Sequence, residues 1–311
     1  MSVSYLITLF NKEEFIRDVV DAALTERAQT GGELIIYDDV STDRSTAIVT
    51  EHIGPNAAVA RLIRADKNRG VGYATNFLIG QSAQPYTRLI DADDVLVRGS
   101  TMHMLRHLKE NKLGFIHGMT TEVGNYNQDL EKQPFDRCLL IERPVRRILR
   151  HTIAGASPSL FVTEVLKSAA PVPEWIKRTQ DFLITLRVAN SGVPMGYVRD
   201  IVSVGPSQRT GNNLSASLAA MFAEMSRDVA HDGNVMQIDD LRYASRRYAA
   251  RAAKYFRRRG RSRLALAEIF ALWRWKNLAI APSRQACIDR LLKSAEWLER
   301  DKDVLVTGPA R

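Results

Sequence analysis

The sequence contains few cysteines and no long hydrophobic segment, and both absences narrow the possible classes of protein. Its 311 residues include two cysteines, Cys138 and Cys287, which lie far apart and form no Cys-x-x-Cys pair. A structural zinc site or a disulfide framework is therefore not expected, and a reducing compartment fits this usage. No stretch has the roughly 18 consecutive apolar residues of a transmembrane helix, and the N-terminal residues lack the basic segment of a secretory signal. We expect a cytoplasmic protein, or one bound peripherally to the inner face of a membrane.

Acidic residues are absent from one long segment, which makes the charge of the chain uneven. The net charge is +9, and residues 242–263, RYASRRYAARAAKYFRRRGRSR, contain ten Lys or Arg residues and no acid. Taking these ten charges away from +9 leaves −1 for the remainder of the chain. The segment could contact an anionic membrane surface, or form a helix that packs its Ala and aromatic side on the domain that precedes it in the chain. Nucleic acid is a less favoured partner, because the remaining sequence indicates no basic groove.

Apolar segments alternate with helical periodicities over the first hundred residues. Strands are predicted at 3–10, 33–39, 59–66 and from residue 86 to the acids at 91–94, and further helices at about 142–151, 158–168 and 179–191. The alternation predicts an α/β fold with a Rossmann-like, mostly parallel sheet and flanking helices. From residue 216 onward the pattern is almost entirely helical, with breaks at Gly260 and Pro282. We therefore expect a domain over 1–215, with halves 1–110 and 111–215, and a helical C-terminal region over 216–311.

Polar residues follow each of the first four predicted strands. They are Asn11 and Lys12, Asp38 and Asp39, Lys67 to Arg69, and Asp91 to Asp94. Ligands of parallel α/β sheets bind beyond the carboxyl ends of the strands, so these clusters should converge on one edge. Asn11 is also a plausible N-cap of the first helix, and Ser41 or Thr42 of the second.

The segment TRLIDADDVLVRG, residues 87–99, places three carboxylates in an apolar context. Two carboxylates at one strand end, Asp91 and Asp93, could hold Mg²⁺ or Mn²⁺, which stabilises a departing diphosphate. An acidic turn after a strand is a common structure and explains the same residues without a ligand. This segment alone does not decide between the two interpretations.

Four segments taken together resemble glycosyltransferase family 2, the inverting nucleotide-sugar enzymes with the GT-A fold. They are Thr8 to Asn11, Tyr37 to Asp43, Asn68 to Asn76 and Ile90 to Asp94. Three positions depart from the family pattern: the first turn lacks the usual proline and threonine, and Val40 replaces a glycine. The looser matches are Gln180-Asp181, where the family has a Glu-Asp pair, and the polar loop 207–217. The firm part of the resemblance covers roughly the first 100 residues.

The resemblance implies roles for particular residues. It implies Asp91 and Asp93 as ligands of Mg²⁺ or Mn²⁺ and Asp181 as the catalytic base. It implies contacts to the nucleotide sugar from Thr8, Phe10, Asn11, Asp38, Asp39, Asn68, Arg69, Gly70, Asn76 and Asp91. An acid in the first turn of a helix, which the helix dipole favours, explains Asp181 equally well without catalysis.

The activity implied is transfer of a sugar with inversion, from a nucleotide sugar such as a UDP-sugar to a hydroxyl group. The acceptor would be a glycan or lipid-linked glycan, as in the synthesis of surface polysaccharides. The alternative from another class is a basic-helix interaction or nucleic-acid-binding protein on a catalytically inactive α/β domain.

Two other motifs suggest an oxidoreductase or a zinc site, but each matches its pattern incompletely. Residues 70–75, GVGYAT, nearly match the dinucleotide fingerprint of oxidoreductases, but follow the third predicted strand instead of the first. His103 and His107 have a spacing that zinc can use, but no glutamate lies between them in a His-Glu-x-x-His pattern. We expect both histidines to face solvent.

Overall fold

The computed structural model describes residues 2–123, 137–151, 155–206, 218–277 and 281–303. The chain divides into two compact units. The first comprises Met1–Pro144 and Ile153–Asn213, and the second Val145–Thr152 and Leu214–Arg311. The functional division at residue 215 stays a prediction.

The first unit begins with four parallel strands, each followed in the chain by a loop at the same edge of the sheet. The strands are β1 Val3–Leu9, β2 Gly32–Asp38, β3 Ala60–Arg64 and β4 Tyr86–Asp91, and the helices between them are α1 Ile16–Thr30, α2 Ser45–Ile53 and α3 Val71–Gln81. The strands pair in the order β3-β2-β1-β4. The predicted α/β class and the predicted parallel arrangement of these strands are confirmed. Their central residues, such as Leu34, Ile35 and Ile36, are fully buried.

Beyond β4 the same sheet is mixed. The further elements in chain order are β5 Val95–Leu96, α4 Ser100–Glu110, β6 Phe115–Val123, β7 Leu139–Leu140, α5 Pro144–His151, β8 Ser159–Val162, α6 Thr163–Ala169, α7 Gln180–Asn190 and β9 Met195–Pro206. The pairing continues as β4-β8-β6-β9-β5, with β8 antiparallel to both of its neighbours. The helix predicted over 158–168 is wrong in its first part, because residues 159–162 pair with β4 and β6 and complete the sheet. The loop 207–217 lies outside the described residues.

The predicted N-caps of α1 and α2 are wrong, because their side chains connect two loops instead. Asn11 has a positive φ of 51° and lies outside α1. Its backbone N–H donates to Ser41 Oγ at 3.0 Å, and its Oδ1 accepts from the backbone N–H of Thr42 at 2.8 Å. Asp43 Oδ1 accepts from the backbone N–H of Ser45, the first residue of α2, at 2.9 Å. The loops after β1 and β2 are thus fixed to each other.

The second unit contains α5 and the helices α8 Leu218–His231, α9 Ile238–Arg258, α10 Ser262–Asn277 and α11 Arg284–Asp303. The predicted helix breaks are confirmed, since Gly260 separates α9 from α10 with a φ of 70° and Pro282 precedes α11. The buried side of α9 consists largely of Ala and aromatic residues, among them Tyr248 and Phe256. It packs on the other helices of this unit. None of the described helices combines the length and apolarity needed to cross a membrane.

A fully buried arginine on β4 joins four segments of the first unit. Arg88 Nη1 donates to Ser100 Oγ at 2.9 Å and Thr101 Oγ1 at 2.6 Å, at the start of α4. Its Nε and Nη2 donate to the carbonyl oxygen of Ser157 at 3.2 and 3.1 Å. Nη2 also donates to the carbonyl oxygen of Val202 on β9 at 3.0 Å. Arg88 therefore fixes α4, β9 and the segment before β8 in position against β4.

A buried carboxylate balances this buried guanidinium. Glu26 on α1 accepts from the backbone N–H of Gly99 at 2.5 Å and of Thr101 at 2.7 Å. Burial lowers the pKa of Arg88, and the negative charge of Glu26 opposes that effect. The two groups compensate each other's charge in a region that water does not reach.

We predict that Arg88→Leu lowers the free energy of unfolding by about 3–5 kcal/mol, because it leaves the Glu26 carboxylate buried without its counter-charge. Urea unfolding at neutral pH measures this change. Arg61→Leu is the matched control, since Arg61 is exposed on β3, and should change stability by no more than about 0.5 kcal/mol. Equal stabilities for the two variants would contradict the prediction.

Candidate active site

The loops after the four parallel strands meet at one edge of the sheet. Thr8 near the end of β1 lies opposite Tyr37 on one side and Asp91 on the other. Lys12 Nζ, after β1, lies 2.6 Å from Asp93 Oδ2, after β4. Asn68 Nδ2, after β3, donates to the carbonyl oxygen of Asp39, after β2, at 2.9 Å. The predicted convergence of the polar strand ends is therefore confirmed.

Both predicted nucleoside carboxylates are buried and bonded within these loops. Asp38 Oδ1 accepts from the backbone N–H of Ser41 at 2.9 Å, and its Oδ2 from Thr46 Oγ1 at 2.7 Å. Asp39 Oδ1 and Oδ2 accept from the backbone N–H groups of Arg69 at 2.9 Å and Gly70 at 2.7 Å. Each side chain organises a loop, whether or not it also contacts a ligand.

Val40 has a left-handed backbone conformation with a φ of 65°. A β-branched residue in this region is strained by about 1–3 kcal/mol, and the conformation persists only where the surroundings enforce it. Here Asp38 and Asp39 on one side and Ser41 on the other are held by hydrogen bonds. The backbone of this loop therefore has the shape that a glycine would adopt without strain, even though valine stands there.

Arg69 lies at this edge against an aromatic ring. Its guanidinium Cζ is 3.4 Å from the ring centroid of Tyr73, a cation–π distance, and its Nη2 lies 3.0 Å from Glu174 Oε2. The ring of Tyr37 lies 6.1 Å from that of Tyr73 and 4.8 Å from that of Phe77. The guanidinium is thereby oriented beside the loop that Asp39 holds.

The side chain of Asn76 on α3 holds a segment that is distant in the sequence. Its Nδ2 donates to the carbonyl oxygen of Val172 at 2.7 Å, and its Oδ1 accepts from the Val172 backbone N–H at 2.8 Å. A Cβ on Gly72 would lie 3.0 Å from the carbonyl oxygen of Pro173. Asn76 and Gly72 thus allow and fix the close approach of residues 172–176 to α3. Of the two fingerprint-like glycines, Gly72 has this packing role, which a dinucleotide site does not require.

Four carboxylates crowd together at the end of β4. Burial raises the pKa of Asp91 well above its ordinary range, and the charges of Asp94, Asp93 and Asp181 raise it further, while Lys12 opposes them. We call Asp91, Asp93, Asp94 and Asp181 the acid cluster. Lys12 brings a positive charge to Asp93 of this cluster.

Backbone contacts fix the geometry of the acid cluster. The backbone N–H of Asp91 donates to Ser157 Oγ at 3.0 Å, and that of Asp94 donates to the carbonyl oxygen of Asp91 at 3.0 Å. A Cβ on Gly205 would lie 2.7 Å from Asp94 Oδ1, so the side chain of Asp94 approaches β9 closely. The turn is thus held by strand neighbours on both sides.

Asp181 reaches the cluster from the first turn of α7. Its Oδ1 accepts from the backbone N–H of Phe182 at 2.7 Å, as an acid at a helix N-terminus can. The neighbouring Gln180 is buried, and its Oε1 has no hydrogen-bond partner in the described part of the chain. Asp181 therefore fits both interpretations, since it lies in the first turn of a helix and its charge also acts on Asp91.

Asp91 and Asp93 offer two carboxylates to a cation. Among the described residues, no group of three or more His, Cys, Asp or Glu side chains is arranged to hold a metal ion. Two carboxylates in a crowded acidic turn nevertheless fit Mg²⁺ or Mn²⁺, hard cations that commonly take their other ligands from a phosphate and water. The predicted ligand set is compatible with the geometry, and its role stays a prediction.

The other predicted contacts differ in exposure. Phe10 is 46% exposed at the end of β1, so its ring is available to a ligand at this edge. Thr8 and Gly70 are partly buried, and Asn11 joins the loops after β1 and β2. Asn76 uses both polar atoms of its side-chain amide to hold the backbone of Val172. The roles of all ten stay predictions.

Sequence reasoning missed the roles of Lys12 and Ser157 and misplaced a histidine. Lys12 had a local signal, since it lies shortly after β1, but Ser157 contacts Asp91 from 66 positions away. The expectation that His103 faces solvent is wrong: it is buried, its Nε2 lies 3.4 Å from Asp200 Oδ2, and burial lowers its pKa to about 4. The side chain of His103 thus connects α4 to β9.

A family model described as Glycosyl transferase family 2 matches residues 4–163, just over half of the chain. The chain belongs to glycosyl transferase family 2. The match runs from β1 to β8 and therefore includes the loops that follow the four parallel strands β1 to β4. Membership supports a glycosyltransferase over the alternative of a nucleic-acid-binding protein on an inactive domain.

Curated relatives match over shorter stretches. The teichoic acid poly(glycerol phosphate) polymerase of Staphylococcus epidermidis is 30% identical over 122 residues, 39% of this chain and 17% of the relative. The poly-beta-1,6-N-acetyl-D-glucosamine synthase of Staphylococcus epidermidis is 28% identical over 117 residues, 37% of this chain and 28% of the relative. The chain thus covers less than a third of the length of either relative.

Solved structures resemble the chain over nearly its whole length. S. aureus TarS 1-349 in complex with UDP-GlcNAc has a TM-score of 0.66 and 16% identity, covering 97% of this chain and 92% of that one. The mannosyltransferase PcManGT from Pyrobaculum calidifontis, in complex with GDP-Man and Mn²⁺, has a TM-score of 0.53 and 14% identity, covering 99% and 76%. At these identities the likeness shows the fold alone, and it confirms the predicted GT-A fold with C-terminal helices.

We predict that Asp91→Asn stabilises the protein at neutral pH by on the order of 1 kcal/mol in metal-free buffer. The raised pKa means that ionised Asp91 opposes folding, and its protonated form does not. The advantage of the variant should shrink as the pH falls through the raised pKa, and vanish below the ordinary aspartate value of about 3.9. Thermal unfolding across this pH range measures it.

Asp66→Asn serves as the control for this comparison, because Asp66 is an exposed aspartate of the same unit. It should track the wild-type protein at every pH within about 0.5 kcal/mol. A loss of stability in Asp91→Asn at neutral pH would show that the carboxylate is needed for the fold.

Proposed function

We propose that this protein is an inverting, divalent-cation-dependent glycosyltransferase that moves a sugar from a UDP-sugar to a hydroxyl group of a glycan or lipid-linked glycan. The observation that carries the proposal is the acid cluster. Asp91 has its pKa raised by burial and by three neighbouring carboxylates, at the sheet edge where parallel α/β folds bind ligands. Such crowding costs stability, and a bound cation would relieve it.

The donor end of the site would lie along the first four loops. Asp91 and Asp93 would hold Mg²⁺ or Mn²⁺, which supplies neutralisation of the negative charge on a departing diphosphate. Lys12, 2.6 Å from Asp93, adds a positive charge at the same place. The exposed ring of Phe10 and the guanidinium of Arg69 flank the loops of Asp38 and Asp39, where a nucleoside would fit.

Asp181 would act as the base. Its carboxylate accepts the proton of the acceptor hydroxyl while the hydroxyl oxygen forms a bond to the anomeric carbon. The bond from that carbon to the diphosphate oxygen breaks, and the nucleoside diphosphate leaves with the electron pair. Attack from the face opposite the leaving group inverts the configuration, as in other single displacements at this carbon. The proximity of Asp181 to Asp91 supports this assignment.

The choice of UDP rests on the likeness to TarS, which is described in complex with UDP-GlcNAc. The likeness to PcManGT, described with GDP-Man, indicates that a similar fold accommodates another nucleotide. The acceptor class rests on relatives named for teichoic acid and poly-N-acetylglucosamine synthesis. Nucleotide and acceptor are therefore separate parts of the proposal and call for separate tests.

We predict that UDP raises the melting temperature only with Mn²⁺ present, and that Asp93→Asn abolishes most of this effect. A ligand at a hundredfold excess over its Kd stabilises by about 2.7 kcal/mol, which thermal-shift measurement resolves. GDP in place of UDP tests the nucleotide, and Asp66→Asn is the control carboxylate. Stabilisation by UDP that depends on neither Mn²⁺ nor Asp93 would argue against the cation site.

We predict that Asp181→Asn keeps UDP binding and slows release of UDP from a UDP-sugar by about 10²–10⁴-fold, the usual contribution of a general base. Glu164→Gln is the matched control, because Glu164 also lies in the first turn of a helix, α6, and its side chain is 84% exposed. If both variants retain near-normal turnover, the base is another residue.

A further inference from the structure

An apolar stripe is exposed on α10 of the second unit. Leu266 is 63% exposed, Ile269 46% and Phe270 62%. Their spacing of three and four residues places them on one face of the helix. Large apolar side chains grouped in this way on a protein surface commonly mark a contact with a protein or a membrane.

The opposite face of α10 is the one that packs inside the unit. Ala265 is buried in the cluster that contains Phe256 of α9. Glu268 is fully buried, forms an ion pair with Arg290 of α11, and accepts from Ser294 Oγ at 2.8 Å. The stripe of Leu266, Ile269 and Phe270 is therefore a second apolar face, additional to the one that the fold uses.

A dense group of cations precedes this stripe in the chain. Arg257 and Arg258 end α9, Arg259 and Arg261 lie in the turn around Gly260, and Arg263 is in the first turn of α10. All five arginines are exposed. The chain has no acidic residue between Asp240 and Glu268, and Glu268 is buried. A positively charged surface therefore adjoins the exposed apolar stripe.

Three of the earlier cations of the basic segment donate to backbone carbonyl oxygens of the second unit. Arg247 and Arg251 donate to the carbonyl oxygen of Arg150, at the end of α5, at 2.9 and 3.2 Å. Arg242 donates to the carbonyl oxygen of Pro282 at 3.0 Å. These three arginines thus stabilise the helical unit.

We propose that the end of α9 and the exposed face of α10, residues 257–270, form a docking surface for an anionic lipid bilayer. Leu266, Ile269 and Phe270 enter the boundary between headgroups and acyl chains, and the five arginines contact lipid phosphates. Amphipathic helices with this combination lie in the plane of a membrane surface. The basic segment 242–263 is the predicted membrane contact. The proposed surface uses only the last part of that segment and adds residues 264–270. It does not depend on the proposed transferase activity.

The apolar stripe favours a membrane over nucleic acid. Nucleic-acid surfaces attract arginines through phosphates, but they offer little to a helix face of Leu, Ile and Phe. A bilayer satisfies both parts, because phosphates and acyl chains lie within a few ångströms of each other in depth. A second copy of the chain would cover the stripe, but would bring two groups of five arginines together.

Flotation of the full chain with lipid vesicles tests the proposal. One set of vesicles contains phosphatidylcholine alone, and the other adds phosphatidylglycerol, each at low and high salt. The protein should float with the anionic vesicles at low salt and less at high salt, because screening weakens the attraction of the arginines. Duplex DNA binding and sedimentation velocity are measured on the same preparations.

Two variants separate the two parts of the surface. Arg257→Gln/Arg258→Gln/Arg263→Gln should weaken binding to anionic vesicles about 100-fold, since each cation near such a surface contributes about fivefold. Leu266→Ser/Phe270→Ser should weaken it about tenfold or more through lost apolar contact. The matched controls should bind as the wild type does. They are Arg61→Gln/Lys109→Gln/Lys112→Gln, which makes the same charge change at exposed cations of the first unit, and Val235→Ser/Leu292→Ser, which alters exposed apolar residues of the second unit.

The proposal holds if both surface variants lose vesicle binding and both controls keep it. It is overturned if the wild-type protein does not float with anionic vesicles, or if the controls weaken flotation as much as the surface variants. It is also overturned if Leu266→Ser/Phe270→Ser turns a dimer into a monomer with vesicle binding unchanged, or if the arginine variant loses DNA binding alone. Binding of UDP with Mn²⁺ is assayed on every variant, so failure of the docking surface and of the transferase site are told apart.

Discussion

The buried guanidinium of Arg88 is the interaction on which the candidate site depends. It holds the carbonyl oxygen of Ser157, and the hydroxyl of the same serine accepts the backbone N–H of Asp91. One residue therefore transmits the position of β9 and α4 to the acidic turn, through the chain segment before β8. A hydrogen-bond network of this kind is worth more inside the protein than at its surface, since a missing member leaves the others unsatisfied.

That rigidity has an electrostatic consequence. Carboxylates that repel one another separate if their backbone allows it, and here the backbone does not. Asp91 is held on both sides, by Ser157 and by its bond to Asp94, so the repulsion is expressed as a raised pKa and not as movement. A site prepared for a cation and a diphosphate must store this repulsion before the ligand arrives. The cost in stability is a consequence of readiness for binding.

The alternation of strands and helices could be predicted from the sequence, whereas few contacts between distant segments could. Alternating strands and helices were enough to bring Lys12, Asp39 and Asp93 to one edge, because parallel strands share an orientation. The capping role expected of Asn11 failed, because its amide found a better partner in another loop. Nothing local indicated that Ser157 would hold Asp91, or that Arg88 would lie in the core where the pattern of β4 predicts an apolar residue. Long-range hydrogen bonds leave no periodic signal.

Two regions of the protein keep like charges close together, and they do so differently. The acid cluster is crowded and rigid around the half-buried Asp91, so the repulsion among its carboxylates is strong and falls on a few atoms. The arginines of residues 257–263 are exposed, so water and salt screen them and their repulsion is weak. A compact ligand such as a metal-bound diphosphate matches the first arrangement, whereas a broad surface of many weak charges matches the second. The net charge of +9 describes neither region, because it is a sum over the whole chain. In that sum the concentrated negative charge of the acid cluster cancels part of the dispersed positive charge of the arginine surface.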